Sequence, residues 1–175
     1  MTVIPDPRPV QERLPITAAV LTISDSSHRG ERADSSGPAV CDALAAKGFL
    51  MAGTEIMPDD QTAIENSLIE WCDRAQLVVT TGGTGLGPRD VTPEATSRVC
   101  DRMVPGISEQ MRNEGAKQTP FAALSRGVCG IRRQSLILNL PGSPKAAVES
   151  LAAIIDLLPH ALELLLGHTA HGSQL

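Results

Sequence analysis

Four short runs of strand-forming residues alternate with helix-like segments, and this alternation limits the possible folds more than any other feature of the chain. Residues 16–23, ITAAVLTI, lack the polar–apolar alternation of a half-exposed strand, and residues 75–81, AQLVVTT, are largely apolar beyond Gln76. Runs of this kind are typical of strands that are buried on both faces. The sequence therefore predicts an α/β fold: a three-layer α/β/α sandwich with a mostly parallel sheet, in a single domain.

Helices are predicted between these strands. One has Pro38 near its first turn and ends at Gly48, and a second, amphipathic helix covers residues 61–74. Another begins with Thr92 as its N-cap and Pro93 at the first helical position. The chain closes with a long helical region that we expect to break or kink at its internal proline, since proline removes a helix hydrogen bond.

The two ends of the chain are expected to be tails. The first residues, MTVIPDPRPVQERLP, are polar and rich in proline, which is not the pattern of a signal peptide. We assign residues 1–14 to a flexible N-terminal tail, 15–168 to the domain and 169–175 to a C-terminal tail. Because the chain contains no apolar run of membrane-spanning length, we expect a cytoplasmic protein.

Composition excludes several classes of partner. The formal net charge is −5 and aromatic residues make up 2% of the chain, which argues against a nucleic-acid-binding protein and against binding to a membrane surface. The four cysteines, at positions 41, 72, 100 and 129, form no CxxC pair and lie in apolar surroundings. We expect buried free thiols rather than a zinc site or disulfides.

A glycine-rich loop follows the third strand. Glycines at 82, 83, 85 and 87 let the backbone turn sharply, and their N–H groups can form a concave anion site beside a helix N-terminus. Thr81 and Thr84 add hydroxyl groups. The alternative is a tight strand–helix turn with no ligand. No lysine follows the loop as in a P-loop, and Pro88 stands where the dinucleotide-binding fingerprint needs its last glycine.

A second loop, LNLPGSPKA, follows the last strand. Pro141 and Gly142 predict a tight bend, and Ser143 could cap the closing helix. Lys145 lies in the first turn of that helix, where the helix dipole disfavours a cation unless an anion is bound nearby. The alternative for Lys145 is an ordinary exposed lysine.

Carboxylates also gather at the predicted strand ends. Asp59, Asp60 and Asp90 would repel a polyphosphate, but a divalent cation such as Mg²⁺ reverses that sign because it binds carboxylates and phosphate oxygens together. Arg89 would attract an anion or order the loop, and Asp90 would hold the metal. The structural alternatives are charge pairing at a helix start for Asp90 and a helix cap for Asp59 and Asp60.

Several of these segments together resemble the MogA/MoaB family of molybdenum cofactor biosynthesis proteins, to which the G domain of gephyrin belongs. They are TTGGTGLGPRDVTPEAT, MVPGISEQMR, ALSR and LILNLPGSPKA, with TISDS and MPDD at two further loops. The likeness covers about residues 16 to 167. It implies a three-layer α/β fold that assembles as a homotrimer.

The resemblance also implies an activity: molybdopterin adenylyltransferase, with Mg²⁺ as cofactor and ATP as co-substrate. A non-catalytic molybdopterin-binding or carrier protein of the MoaB type is the alternative, and the product could be handed to a molybdenum insertase. The functionally important aspartates of the family correspond to Asp59 and Asp90. The residues then expected to bind the nucleotide and pterin are Ser24, Asp25, Thr81, Gly82, Gly83, Thr84, Gly85, Arg89, Pro141, Gly142, Ser143 and Lys145.

Overall fold

A computed structural model describes residues 15–167, and within them six strands form one sheet. The strand order is β2-β1-β3-β6-β5-β4, and the first four of these strands run parallel. The last two strands in that order pair antiparallel. The strands are β1 Thr17–Ile23, β2 Leu50–Met57, β3 Leu77–Thr81, β4 Arg102–Met103, β5 Cys129–Arg132 and β6 Ser135–Leu140. The predicted mostly parallel sheet is confirmed.

Helices cover both faces of this sheet. They are α1 Asp25–His28, α2 Ser36–Ala46, α3 Gln61–Cys72, α4 Thr92–Val99, α5 Pro105–Ala116, α6 Pro144–Ala152 and α7 Leu158–Leu165. Short 3₁₀ turns occupy Pro120–Leu124 and Ile155–Leu157. The predicted three-layer sandwich is therefore confirmed.

The central strand β1 shows why its sequence does not alternate. Ala18 and Val20 contribute to a core shared with α2, α5, α6 and α7, whereas Ala19 and Leu21 contribute to a second core under α3 and α4. All four side chains are fully buried. A leucine buried in this way stabilises the fold by roughly 1.5–3 kcal/mol relative to an exposed one, so an apolar residue is favoured at every position of the strand.

The chain reverses its winding direction between β1 and β3. From β1 it passes through α2 to β2, and it then returns through α3 to β3 on the other side of β1. In open α/β sheets such a switch point opens a crevice beyond the carboxyl ends of the strands, where ligands bind. The loops after β1 and β3 meet at this crevice.

One detail of the predicted helices was wrong, whereas the predicted break of the closing helical region near Pro159 is confirmed. Thr92 does not cap α4: its hydroxyl is fully buried and donates to the Gly82 carbonyl, and Val91 is the N-cap residue. The closing helix breaks before Pro159, which lies in the first turn of α7. The exposed strand β4 has only two residues, too few to form a recognisable pattern.

The predicted tails at 1–14 and 169–175, and the domain boundary at 168, lie outside the described residues. Over residues 15–167, no helix has the length and apolar character needed to cross a membrane. Each of the four cysteines has a free thiol, as predicted, but only Cys72 and Cys129 are buried, and Cys41 and Cys100 are partly exposed.

Candidate functional site

The loops that follow β1, β2, β3 and β6 meet at one edge of the sheet. Beside them lies a cavity of about 450 Å³, bounded on one side by the glycine loop and the loop after β6 and on the other by α5 and the segment at 119–127. Of the residues predicted for the site, six line this cavity: Gly83, Thr84, Gly85, Asp90, Pro141 and Gly142.

The glycine loop needs glycine at two positions for its backbone conformation. Gly82 has φ +103° and Gly83 has φ +63°, in a region that favours glycine. A Cβ atom at position 82 would lie 2.2 Å from the Ile23 carbonyl oxygen, and one at position 83 would lie 2.3 Å from the Thr92 hydroxyl. The loop therefore packs against β1 and α4 without room for side chains.

Asp90 folds back into this loop. Its Oδ2 accepts a hydrogen bond from the Gly87 N–H at 2.8 Å, and a Cβ atom at Gly85 would approach the same oxygen to 2.9 Å. Asp90 thus orders the loop on which it lies. The expected charge pairing at a helix start is not its main contact, because its carboxylate bonds within the loop.

Asp59 lies on the opposite flank of the loop. A Cβ atom at Gly83 would be 3.2 Å from Asp59 Oδ1. Burial raises the pKa of Asp59, and the negative charges of Asp25 and Asp90 raise it further. The two aspartates are thus brought to one loop, close enough for their charges to interact.

Asp60, the neighbour of Asp59, caps a helix. Its Oδ1 accepts from the Ala63 N–H at 2.8 Å and caps α3. The cap predicted for the Asp59–Asp60 pair therefore belongs to Asp60. Asp59 remains available to the crevice.

Arg89 reaches across the crevice to the loop after β1. Its guanidinium donates two hydrogen bonds from Nη2 and one from Nε to the Asp25 carboxylate, at 2.7–3.1 Å. The hydrogen bond from Arg89 is the main reason that the pKa of Asp25 is lowered. Arg89 was predicted either to attract an anion or to order the loop, and its contact with Asp25 agrees with the second role. Ser24, next to Asp25, is the N-cap of α1 and accepts from the Ser27 N–H.

The loop after β6 touches the glycine loop directly. Thr81 donates its hydroxyl hydrogen to the Pro141 carbonyl at 2.7 Å, and a Cβ atom at Gly142 would lie 3.2 Å from Gly82 Cα. Ser143 caps α6 as predicted, accepting from the Ala146 N–H. The side chain of Lys145 is 85% exposed, does not line the cavity and lies 3.9 Å from Glu149.

Arg126 was not predicted, although it lies in the ALSR segment. It donates from its backbone N–H to the Thr84 carbonyl, from Nε to the Gly85 carbonyl and from Nη2 to the Asp90 carbonyl, at 2.9, 2.7 and 2.5 Å. Nη1 pairs with Glu94. The only signal was its place in the family-like ALSR segment, and its partners could not be read from the sequence.

Asn139 was also missed. Its side-chain amide donates to Thr80 and Thr96 at 3.0 and 2.9 Å, and its Oδ1 accepts from the Val128 N–H. It is 1% exposed yet lines the cavity. The only signal was a lone asparagine in the apolar run SLILNL.

A divalent metal would find only part of its ligands here. Within residues 15–167, no group of three or more His, Cys, Asp or Glu side chains gathers as a metal cage. The carboxylates of Asp59 and Asp90 are nevertheless the oxygen donors that Mg²⁺ prefers, and Mg²⁺ commonly uses one or two carboxylates together with substrate phosphates. The donor set therefore fits a metal that arrives with a phosphorylated ligand.

Residues 19–160 match the family model described as "Probable molybdopterin binding domain". The chain belongs to this molybdopterin-binding family. The resemblance to MogA and MoaB proteins found in the sequence is thereby confirmed.

Individual members agree with this assignment. The chain is 46% identical over 157 residues to the molybdopterin adenylyltransferase of Helicobacter pylori strain J99, covering 87% of this chain and 89% of the relative. It is also 46% identical to the molybdenum cofactor synthesis protein cinnamon of Drosophila melanogaster, covering 86% of this chain but only 26% of that longer protein.

A solved structure shares the fold closely. The molybdopterin biosynthesis enzyme MoaB from Thermus thermophilus superposes with a TM-score of 0.82 at 51% identity, covering 87% of this chain and 97% of that one.

Proposed function

We propose that this protein is a molybdopterin adenylyltransferase: it transfers AMP from ATP to the terminal phosphate of molybdopterin and releases pyrophosphate. One observation carries the proposal: Asp59 and Asp90 flank a single glycine loop beside a cavity of about 450 Å³. A cavity of this volume is typical of small-molecule sites. The names of the relatives with high coverage support the same activity.

The glycine loop supplies hydrogen-bond donors for phosphate. Among the described residues, the N–H groups of Gly83, Thr84, Gly85 and Leu86 have no acceptor within the protein. Backbone N–H groups that are free, adjacent and close to a helix N-terminus bind phosphate oxygens. They would hold the phosphates of the two substrates in position for reaction.

The reaction joins one phosphate to another. A terminal phosphate oxygen of molybdopterin forms a bond to the α-phosphorus of ATP, and the bond from that phosphorus to the β-bridging oxygen breaks, releasing pyrophosphate. The chain contributes orientation and charge. The pterin would occupy the cavity between the glycine loop and α5, and Lys145 and Arg89 would supply positive charge at its rim.

Mg²⁺ fits this chemistry, since it neutralises the negative charge that develops on phosphate oxygens. Asp59 and Asp90 would hold it. Burial is the main reason that the pKa of Asp59 is raised, and the charges of Asp25 and Asp90 add to it. A bound cation would offset that repulsion between the carboxylates. The activity is therefore expected to depend on a divalent metal.

The test measures the release of pyrophosphate from ATP and molybdopterin in the presence of Mg²⁺. Pyrophosphatase converts the pyrophosphate to phosphate, and a coupled assay detects the phosphate. Release that needs both substrates and stops with EDTA supports the proposal. The second candidate is a carrier that binds molybdopterin without chemistry, favoured by the apolar lining of the cavity. Tight binding of molybdopterin with no pyrophosphate release under any divalent metal would establish that function instead.

Cellular context forms a further part of the proposal. We expect a cytoplasmic homotrimer that passes its product to a molybdenum insertase. Light scattering of the purified protein tests the assembly: a mass three times that of the 18.4 kDa chain is expected. A monomer or dimer would contradict it.

A further inference from the structure

We infer that Arg126 is a positioning residue that sets the direction of the phosphate-binding N–H groups in the glycine loop. The inference rests on the proposed function, because it names how that site is held in its binding conformation. Arg126 lies between residues that line the cavity, Ser125 and Gly127, but its own side chain turns under the glycine loop.

The first step concerns the loop carbonyls. The carbonyl oxygens of Thr84, Gly85 and Asp90 each accept a hydrogen bond from Arg126. Those of Gly82 and Gly83 accept from the hydroxyl and the N–H of Thr92. Two residues outside the loop therefore hold five of its carbonyl oxygens.

The second step follows from peptide geometry. A trans peptide is planar, so the carbonyl of one residue and the N–H of the next point in opposite directions. The backbone N–H of Arg126 holds the Thr84 carbonyl and so directs the Gly85 N–H away from Arg126. Nε of its side chain holds the Gly85 carbonyl and so directs the Leu86 N–H in the same way. Thr92 orients the N–H groups of Gly83 and Thr84 in the same manner.

The third step concerns flexibility. Glycines have little intrinsic preference for one peptide orientation, so a loop with four of them would sample many orientations without external contacts. Each N–H that must be oriented on binding costs conformational entropy and weakens affinity. Arg126 removes this cost in advance, and through the Asp90 carbonyl it also holds the residue proposed to bind the metal.

Arginine suits the task better than lysine. Its planar guanidinium donates in fixed directions to Gly85, Asp90 and Glu94 at once. A lysine has one donor centre and cannot span acceptors on both arms of the loop. Glu94, about half exposed, steadies the guanidinium but makes no contact with the loop carbonyls.

The test compares four variants with the wild type: Arg126→Met, Arg126→Lys, Glu94→Gln and the control Arg98→Met. Arg98 is a neighbouring arginine of α4 whose ion pair with Glu65 is exposed. Calorimetry measures the affinities for ATP with Mg²⁺ and, separately, for molybdopterin. Amide hydrogen exchange of residues 83–86 is measured without ligand.

Arg126→Met leaves the backbone bond to the Thr84 carbonyl in place, so we expect faster exchange chiefly at the Leu86 amide. Binding of at least one of the two ligands should weaken by about tenfold or more, comparable to losing one charge-assisted hydrogen bond. Arg126→Lys should recover only part of the affinity. Glu94→Gln and Arg98→Met should stay within about twofold of the wild type, as expected for exposed ion pairs.

A merely structural Arg126 would give a different result. Its loss would then lower the thermal midpoint while leaving both affinities and the loop exchange unchanged at a temperature where the variant is folded, and the inference would be overturned. Failure of the proposed function is separate: a wild type that binds both ligands but releases no pyrophosphate refutes the transferase and leaves the role of Arg126 measurable.

Discussion

Asp25 and Asp59 exchange a reciprocal pair of hydrogen bonds across the crevice. The Asp25 N–H donates to the Asp59 carboxylate at 2.9 Å, and the Asp59 N–H donates to the Asp25 carboxylate at 3.1 Å. The loops after β1 and β2 are therefore held together by two acidic side chains, each of which bonds to the backbone of the other. Arg89 balances the charge from the third loop.

Two substitutions of Asp25 should show whether catalysis needs its hydrogen bond to Asp59 or its negative charge. Asp25→Ala removes the acceptor for the Asp59 N–H and leaves Arg89 without its partner, so we expect pyrophosphate release to fall by about tenfold or more through misplacement of Asp59. Asp25→Asn keeps an oxygen for the Asp59 N–H and should retain more activity. Equal and unimpaired turnover of both variants would show that the reciprocal bonds are irrelevant to catalysis.

Asp59→Asn and Asp90→Asn test the proposed metal ligands. Each amide keeps the size of the side chain but loses the negative charge, so we expect turnover to fall by about a hundredfold or more with little change in thermal midpoint. Asp60→Asn is the matched control, because an amide oxygen still caps α3. The roles are wrong if the two variants turn over like the control.

Gly82→Ala should be severely destabilising. An alanine at φ +103° is strained, and its Cβ would meet the Ile23 carbonyl oxygen at 2.2 Å. We expect a loss of about 3 kcal/mol or more in the free energy of unfolding, measured by urea denaturation. Gly106→Ala, in the first turn of α5 with no atom within 4 Å of the new Cβ, should instead be neutral or gain up to about 1 kcal/mol. Similar values for both would contradict the packing described for the loop.

The thiols should lower stability in alkaline solution. Burial raises the pKa of Cys72 and Cys129 to about 12 and that of Cys100 to about 11, against an ordinary 9.0 in the unfolded chain. Between pH 9 and these values the unfolded chain binds fewer protons than the folded one, so the free energy of unfolding should fall as pH rises. Below pH 9 these thiols should have no effect.

Thiol labelling tests the burial of the thiols, on which the alkaline prediction depends. The free energy of unfolding itself is measured by urea denaturation between pH 7 and pH 11. At pH 8, Ellman's reagent should react with the partly exposed Cys41 and Cys100 well before the buried Cys72 and Cys129, and replacing both Cys41 and Cys100 by serine should abolish the fast phase. Fast reaction of three or more thiols in the folded protein would contradict the burial of these side chains.

Lys145 should affect binding and not folding. Its side chain is 85% exposed, so Lys145→Met should leave the free energy of unfolding within about 0.5 kcal/mol of the wild type. If it contacts a substrate phosphate, the KM for ATP or molybdopterin should rise several-fold, and the effect should weaken at high salt. Lys47→Met, which removes a lysine paired with Asp156, is the control. An unchanged KM for both substrates would show that Lys145 is an ordinary surface residue.

Local patterns predicted the sheet and the positions of the site loops. Strand-forming runs identified β1, β2, β3 and β6, and Gly82 and Gly83 predicted a loop that requires glycine. The contacts between residues of the site could not be predicted in the same way. Arg89 pairs with Asp25, 64 residues earlier, and Arg126 bonds to a loop about 40 residues before it. Such partners depend on how loops meet in three dimensions, for which one sequence offers no local pattern.

Thr92 illustrates the same limit at a single residue. A threonine before a proline is typical of a helix cap, yet here a competing acceptor, the Gly82 carbonyl, takes the hydroxyl. The buried carbonyl must be satisfied, and that demand outweighs the local preference.

The close approach of Gly142 to Gly82 has a consequence for substrate selection. Main chain lies against main chain there, and a Cβ atom on Gly142 would lie 3.2 Å from Gly82 Cα, closer than an ordinary contact. A side chain can change its rotamer when a ligand binds, but two backbone segments in contact cannot adjust in this way. We therefore expect the spacing between the two loops to change little when a ligand binds, so compounds whose phosphate groups need a wider spacing should bind less tightly.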